Sequence, residues 1–417
     1  MKAAIYTLGC KVNTYESEFL ISELLKNNFE IVDFDDEADV YIINTCSVTN
    51  QSDAKSRKII KRAKRKGGIV VALGCYVQSS IDNLIPEIDI ALDNSFKKEL
   101  VSLIRDYQKD PRRIIKTKKA ISSEFEDMYL EDFQTRTRAF LKIQDGCDNF
   151  CSYCIIPFLR GKPRSKDPDM VIKEAKALVS KGFKEIVLTG IHTGHYGLDI
   201  DITFPELLRR LEKIEGLERI RISSVEITEL NDDFLEVFKN SKKIVNHLHI
   251  PLQTGCDKIL KIMNRKYDTK YYEDKIKVLR SLKEGLAVTT DVIVGHPYET
   301  DEDFKETLSF VEKIGFAKVH VFPYSKRQYT KSSRMPEVNG LIKKARCHEL
   351  INLSKKLEIK YMQKFIGREV EFLIEQNKDG YSYGHSTNYL DLKIKGNYEE
   401  GAIIKKKIET IKYPYVC

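Results

Sequence analysis

Cys147-Asp148-Asn149-Phe150-Cys151-Ser152-Tyr153-Cys154 places three thiols within eight residues, just after the strand-like run 139–143. Thiolates are soft ligands suited to iron–sulfur clusters or to zinc. A structural zinc site ordinarily takes four protein ligands. No fourth ligand lies nearby, so the stretch reads as a cluster site with one iron left open for a small molecule, the alternatives being a zinc knuckle or buried free thiols. The surrounding chain repeats strand then helix six times. Strand patterns at 139–143, 185–188, 219–223, 245–250, 288–294 and 318–322 alternate with helical patterns at 171–180, 205–214, 233–241, 271–283 and 302–314. Six such units fall short of the eight that close a barrel. A partial barrel with one open side is expected.

Upstream, strand patterns at 2–8, 40–45, 69–74 and 88–92 alternate with helices at 17–28 and 54–66, which predicts a parallel sheet covered by helices. Cys10, Cys46 and Cys75 each stand at the C-terminal end of one of these strands. In a parallel sheet those ends share one edge, where ligand crevices form. Three thiols there either converge on a second centre or are buried structural cysteines. The polar stretch from 109 to 137, with Pro111, Lys116, Lys118 and Lys119, reads as a linker. Downstream, short strand patterns at 370–375, 381–385, 390–394 and 403–411, with turns at 379–380 and 396–397, suggest a small all-β barrel of a kind that binds oligonucleotides.

The 417 residues carry a net charge of +8, which favours anionic partners without naming one. The densest basic run is Lys55, Arg57, Lys58, Lys61, Arg62, Lys64, Arg65 and Lys66, eight cations in twelve residues with no acid. Such a run either contacts phosphate backbone or is a solvated helix face. Nine cysteines, an odd number, argue for ligation rather than a disulfide framework, and Cys256, Cys347 and Cys417 fit no ligand pattern. No leader-like start and no apolar run of membrane length is visible, so a cytoplasmic protein with no membrane partner is expected.

The C-x3-C-x2-C spacing, with an aromatic before the last Cys, resembles the radical S-adenosylmethionine (SAM) superfamily. The resemblance implies a [4Fe–4S] cluster on Cys147, Cys151 and Cys154 whose open iron takes SAM. Thr7-Leu8-Gly9-Cys10-Lys11-Val12-Asn13, Asn44-Thr45-Cys46-Ser47-Val48-Thr49 and Gly74-Cys75-Tyr76-Val77-Gln78 are similar to the three hallmark stretches of the methylthiotransferase family. That resemblance implies a second, auxiliary [4Fe–4S] cluster on Cys10, Cys46 and Cys75. Gly384-His385-Ser386-Thr387-Asn388-Tyr389 is similar to the centre of the family's TRAM domain. The implied fold class is α/β: an N-terminal auxiliary-cluster domain (1–108), a central partial (β/α)6 radical SAM barrel (133–362) and a TRAM-like RNA-binding barrel (365–417).

Strand-end loops are where SAM contacts are expected. They offer Thr189 and Gly190, Ser223, Ser224 and Glu226, His249 and Gln253, and Gly295, beside Tyr153 in the cysteine loop. Lys11-Val12, with Tyr15-Glu16-Ser17, resembles the branch acting on threonylcarbamoyladenosine next to the tRNA anticodon. The implied activity is attachment of a methylthio group to C2 of that base. Its partners would be the tRNA anticodon loop, an electron donor and a sulfur source. The same chemistry on isopentenyladenosine or on a ribosomal-protein aspartate is the alternative. The chain departs from the family pattern at His192, His296 and Tyr298.

Overall fold

The computed structural model describes residues 1–118, 124–134 and 136–417. Lys119 lies outside them. The N-terminal third contains β1 (Lys2–Thr7), α1 (Lys11–Lys26), β2 (Glu30–Val32), β3 (Val40–Thr45), α2 (Asn50–Lys64), β4 (Ile69–Gly74), α3 (Cys75–Ser79), β5 (Ile90–Leu92), α4 (Leu100–Lys109) and β6 (Ile114–Lys116). The strands form one parallel sheet in the order β2-β1-β3-β4-β5-β6. Every residue of β3 is buried because helices cover both faces. Ile42, Val71 and Leu73 pack under α1 and α4, while Tyr41, Ile43, Val70 and Ala72 pack under α2 and α3.

The middle section contains β7 (Ala139–Lys142), β8 (Gln144–Asp145), α5 (Ile156–Arg160), β9 (Arg164–Ser165), α6 (Pro168–Ser180), β10 (Glu185–Thr189), α7 (Phe204–Glu212) and β11 (Arg219–Ile222). It continues through α8 (Asp232–Asn240), β12 (His247–His249), α9 (Asp257–Ile262), α10 (Thr269–Leu282), β13 (Ala287–Val294), α11 (Asp301–Ile314), β14 (Lys318–Pro323) and α12 (Gly340–Gln363). Two parallel three-stranded sheets, β11-β10-β7 and β12-β13-β14, are joined by a parallel bridge between Ile220 and Ile244. All six expected barrel strands are present in chain order. One set of strand residues, including Ile186, Leu188, Ile220, Ile222, Leu248, Val288 and Val292, packs outward under the helices. The alternate set, including Glu185, Arg221, His247, His249 and Asp291, faces the lumen, as period-two alternation requires. Helix α1 lies against β7, and its Tyr15 and Phe19 share a core with Phe140 and Val187.

The last section contains β15 (Glu369–Lys378), β16 (Tyr381–Ser386), β17 (Asp391–Lys395), β18 (Ile403–Lys407), β19 (Ile411–Lys412) and β20 (Tyr415–Val416), a sheet in the order β18-β15-β16-β17-β20-β19. It closes the N-terminal end of the barrel. Arg219 and Arg221 donate to the carbonyls of His385 and Ser386 at 3.3 and 3.1 Å, and Tyr389 stacks on His247 at 4.2 Å.

Four features differ from the sequence expectation. Helix α1 begins at Lys11 rather than Ser17, because Asn13, Glu16, Ser17 and Glu18 are buried polar residues that mask its inward face. The stretch read as a linker adds β6 to the sheet edge. The 403–411 run is interrupted between β18 and β19. Helix α12, 24 residues long, buries Arg346, Ser354 and Glu358 among its apolar contacts and so lacks a clean stripe. Among the described residues, no helix is long and apolar enough to cross a membrane.

A candidate two-centre active site

Cys10, Cys46 and Cys75 follow β1, β3 and β4, adjacent strands whose ends are in register (Thr7 with Asn44, Thr45 with Gly74). The three thiols therefore meet at one sheet edge. Asn13 ties the edge together. Its side-chain amide donates to the carbonyls of Leu8 and Thr45 at 2.7 and 3.0 Å, and its Oδ1 lies 3.8 Å from Cys10 Sγ. Gly9, with φ of +97°, is forced: a Cβ there would lie 2.8 Å from Cys46 Cβ and 2.9 Å from its Sγ. Burial pushes the Cys46 thiol up to about 11, and the neighbouring Cys75 and Cys10 add to the shift.

Cys147, Cys151 and Cys154 lie on the loop after β8. Cys147 N–H donates to the Gly161 carbonyl at 2.9 Å, and Cys154 N–H to that of Cys151 at 2.9 Å. Asn264 Nδ2 donates to the carbonyls of Asn149 and Phe150, each at 3.2 Å. Burial pushes the Cys154 thiol up to about 12, with Cys151 and Cys147 contributing as like charges. Three soft donors per site, one short of a full four-cysteine set, fit a [4Fe–4S] cluster with an open iron.

A buried ionic network joins the two sites. Arg160, on α5, donates to Glu16 and Asp145 at 3.0 and 3.1 Å and to Asn13 Oδ1 at 2.9 Å. Lys142 and Lys97 reach the same Glu16 oxygen at 2.9 and 3.2 Å. Burial alone would raise the Glu16 carboxyl, but these three cations outweigh it and hold it well below the usual carboxylate range.

Both triads open on one cavity of about 790 Å³, whose wall includes Cys10, Cys46 and Cys154. Of the residues expected to contact SAM, Tyr153 and Gln253 line it. The other candidates lie elsewhere. Thr189 donates to its own strand at Val187, Gly190 backs onto Gln144, and Ser223 Oγ lies 3.4 Å from Thr193 Oγ1. Ser224 is half-buried. Glu226 pairs with Arg265, which also donates to Cys151 Sγ at 3.3 Å. His249 faces the lumen, 3.3 Å from Asp291, and Gly295 packs against the stem of Lys343.

The three family departures have separate explanations. His192 Nδ1 lies 3.6 Å from Cys147 Sγ, while its other nitrogen meets Glu229. Burial opposes charge on this ring, but its contacts to Cys147 and Glu229 prevail and raise it to about 10. His296 is fully buried under the cysteine loop, 3.2 Å from Ser152 Oγ, and burial lowers it to about 4. Tyr298 is exposed. Within the basic run, Lys61, Arg62 and Lys64 pair with Glu87, Asp35 and Asp89, Lys66 reaches a backbone carbonyl, and Arg57 lies over Tyr76. Lys55, Lys58 and Arg65 are exposed and have no such partner among the described residues.

Residues 141–311 match the Radical SAM superfamily, and residues 2–92 match the uncharacterized protein family UPF0004. The chain is 43% identical over 426 residues to the threonylcarbamoyladenosine tRNA methylthiotransferase MtaB of Bacillus subtilis (strain 168), covering 99% of this chain and 94% of that one. The chain belongs to the radical SAM methylthiotransferase family. A protein of the same name from Aquifex aeolicus (strain VF5) is 39% identical, with 97% and 99% covered. A tRNA-2-methylthio-N(6)-dimethylallyladenosine synthase of Thermoanaerobacter sp. (strain X514) is 35% identical, with 89% and 81% covered. Among solved structures, the radical S-adenosylmethionine methyltransferase TsrM of Kitasatospora setae shares the fold at a TM-score of 0.58 and 12% identity, over 79% of this chain and 73% of that one.

Sequence reasoning missed Arg265, Asn13, Arg160 and the cavity-lining Asp291 and Phe322. Met263-Asn264-Arg265 carried a detectable signal: an Asn just past a short helix, here at φ of +62°. Asn13 and Arg160 carried none, because their partners are brought together only by the tertiary fold.

Proposed function

We propose that this chain attaches a methylthio group to C2 of N6-threonylcarbamoyladenosine beside the tRNA anticodon. The observation that carries the reading is the shared cavity: Cys10 and Cys46 of one thiol triad and Cys154 of the other line one space of a size suited to a small-molecule cofactor and a base. The identity to the two proteins named for threonylcarbamoyladenosine, 43% and 39%, is higher than that to the dimethylallyladenosine synthase, 35%. It supports the first substrate over the isopentenyl one.

Cys147, Cys151 and Cys154 would hold the SAM-binding [4Fe–4S] cluster, and Cys10, Cys46 and Cys75 the auxiliary one. When bound, these groups and SAM supply the reductive SAM cleavage and the sulfur needed at an inert C–H bond. The protein supplies position and dryness. Ile155, Ile293 and Phe322 make much of the cavity wall apolar, Tyr153 and Gln253 offer polar contacts, and Arg265 braces Cys151 against Glu226. The base leaves its loop stack to enter the cavity. An external electron donor and sulfur source complete the reaction, which takes place in the cytoplasm. The auxiliary-cluster domain, expected over 1–108, runs on through β6 to Lys116, followed by the radical SAM core at 133–362 and a TRAM-like RNA-binding unit at 365–417. Nucleoside mass spectrometry of tRNA from a deletion strain tests the substrate. The 2-methylthio form of threonylcarbamoyladenosine should disappear and its precursor accumulate, with isopentenyladenosine derivatives unchanged; loss of the isopentenyl form instead reassigns the substrate.

Helix α2 supports an RNA path. Its first residues, Asn50–Ser52, line the cavity, and Lys55, Lys58 and Arg65 form a stripe leading away along about 15 Å of helix. Replacing these three by Glu should weaken tRNA binding and lower the slope of log affinity against log salt by about 2 to 3, since each phosphate contact contributes about 0.9. Iron content should not change. An unaltered salt slope would place α2 outside the RNA path.

A further inference from the structure

Lys11, the first residue of α1, reaches into the barrel lumen. The charged groups acting on its ammonium are Arg138, Arg221, Glu185 and Asp291, at or next to four different barrel strands. Lys11 is open to solvent in the lumen, and among the described residues it has no hydrogen bond or ion pair. The nearby anions are already engaged. Glu185 is held by Arg221 at 2.6 Å and by Arg138 and Arg219 at 3.8 Å each, and Asp291 by His249 at 3.3 Å. The buried Arg221 Nη1 has no hydrogen-bond partner among the described residues, though the guanidinium lies over the Tyr389 ring. Arg138 is itself held by Glu375 at 2.7 Å, so Lys11 is the cation of this group that has neither a hydrogen bond nor an ion pair among the described residues.

This site adjoins the cavity, since Cys10 and Asp291 both line its wall. The two lysines on that wall, Lys326 and Lys343, are paired with Glu337 at 3.8 and 3.2 Å. A base entering with C2 toward the thiols carries its N6 substituent out from the other side of N1, away from both triads. We propose that Lys11, backed by Arg221, receives the carboxylate of that N6 substituent and so determines which modified adenosine is accepted. The proposal rests on the substrate reading above. An apolar N6 chain would take water from the Lys11 ammonium and return no partner, and a charged group desolvated without a partner discriminates strongly.

The test uses anaerobically purified, cluster-loaded full-length protein and three synthetic anticodon stem-loops. One carries the threonylcarbamoyl acid, one the same group with its carboxylate converted to a primary amide, and one unmodified adenosine. Wild type should bind the acid roughly 10- to 100-fold more tightly than the amide, the range of a charge-assisted contact. Lys11→Met should bring that ratio to about one while leaving amide binding unchanged, and Lys11→Arg should keep most of the preference. Equal binding of acid and amide by wild type overturns the proposal. So does a preference that survives Lys11→Met, or a uniform loss on all three RNAs, which would make Lys11 a phosphate contact. Should Lys11→Met lose iron, the wild-type acid-to-amide ratio and the Arg variant decide. If wild type does not distinguish either modified loop from unmodified adenosine, the substrate reading itself fails, a different result from losing the carboxylate preference alone.

Discussion

Replacing Cys147, Cys151 and Cys154 together by Ala is expected to halve the iron of anaerobically purified protein, from about eight atoms to about four for two [4Fe–4S] clusters, and to abolish SAM cleavage. Replacing Cys10, Cys46 and Cys75 should also halve the iron but leave some SAM cleavage. The asymmetry follows from the placement of the triads on different elements, one on the barrel loop and one on the edge of the first sheet. Each set can be emptied while the backbone of the other stays in place. Metal analysis and a deoxyadenosine assay on the same samples read both quantities. Zinc in place of iron, or equal loss of SAM cleavage from both variants, would overturn the assignment of two separate centres.

The second large effect is expected at Glu16. Its carboxylate is buried among Arg160, Lys142 and Lys97, so Glu16→Ala leaves three interior cations sharing Asp145 and Glu126. Breaking such a buried network from one side costs about 3–5 kcal/mol. Denaturant unfolding should show that loss, whereas Glu16→Gln, which keeps the shape and one acceptor, should lose less. The sign of the pH dependence follows from the lowered carboxyl. Stability from Glu16 is present above the ordinary Glu range, near pH 4.5, and is withdrawn as pH falls through its depressed folded value. The wild type should therefore weaken in acid, and the Ala variant should show a flatter acid limb. A cost under about 1 kcal/mol would mean that water, rather than Glu16, balances these cations.

The parts of this architecture legible in the sequence were those set by local pattern. The six barrel strands show as apolar runs and Cys147, Cys151 and Cys154 stand out by their spacing, whereas strand-end position alone left Cys10, Cys46 and Cys75 open between a shared centre and separate buried thiols. Much of what organises the site was not legible, because it depends on polar residues buried against distant partners. Asn13 and Glu16 fall outside the helix expected at 17–28, and their role emerges only when Arg160, well over a hundred positions away, is placed beside them. Helix α12 was hidden for the same reason, since its inward face includes Arg346 bound to Glu299 and Asp301. The basic run shows the converse. Its composition pointed to a single cationic surface, yet Arg62 and Lys64 are committed to neighbouring carboxylates. Only a subset of the stripe is left for a ligand.

The seating of the C-terminal sheet has a consequence for how members of this family can exchange parts. Its 385–389 turn supplies carbonyl acceptors to Arg219 and Arg221 and a ring to His247, so these lumen side chains are completed by the last segment of the chain. A chimera that imports a foreign tail would change the floor of the barrel lumen along with the outer surface of the sheet. Such a hybrid should keep its arginines seated only if the 385–389 turn is transplanted as a matched set with positions 219, 221 and 247. The tail is therefore better treated as the barrel's stopper than as an interchangeable RNA-binding attachment, and substrate preference and tRNA affinity should be inherited together when it is swapped.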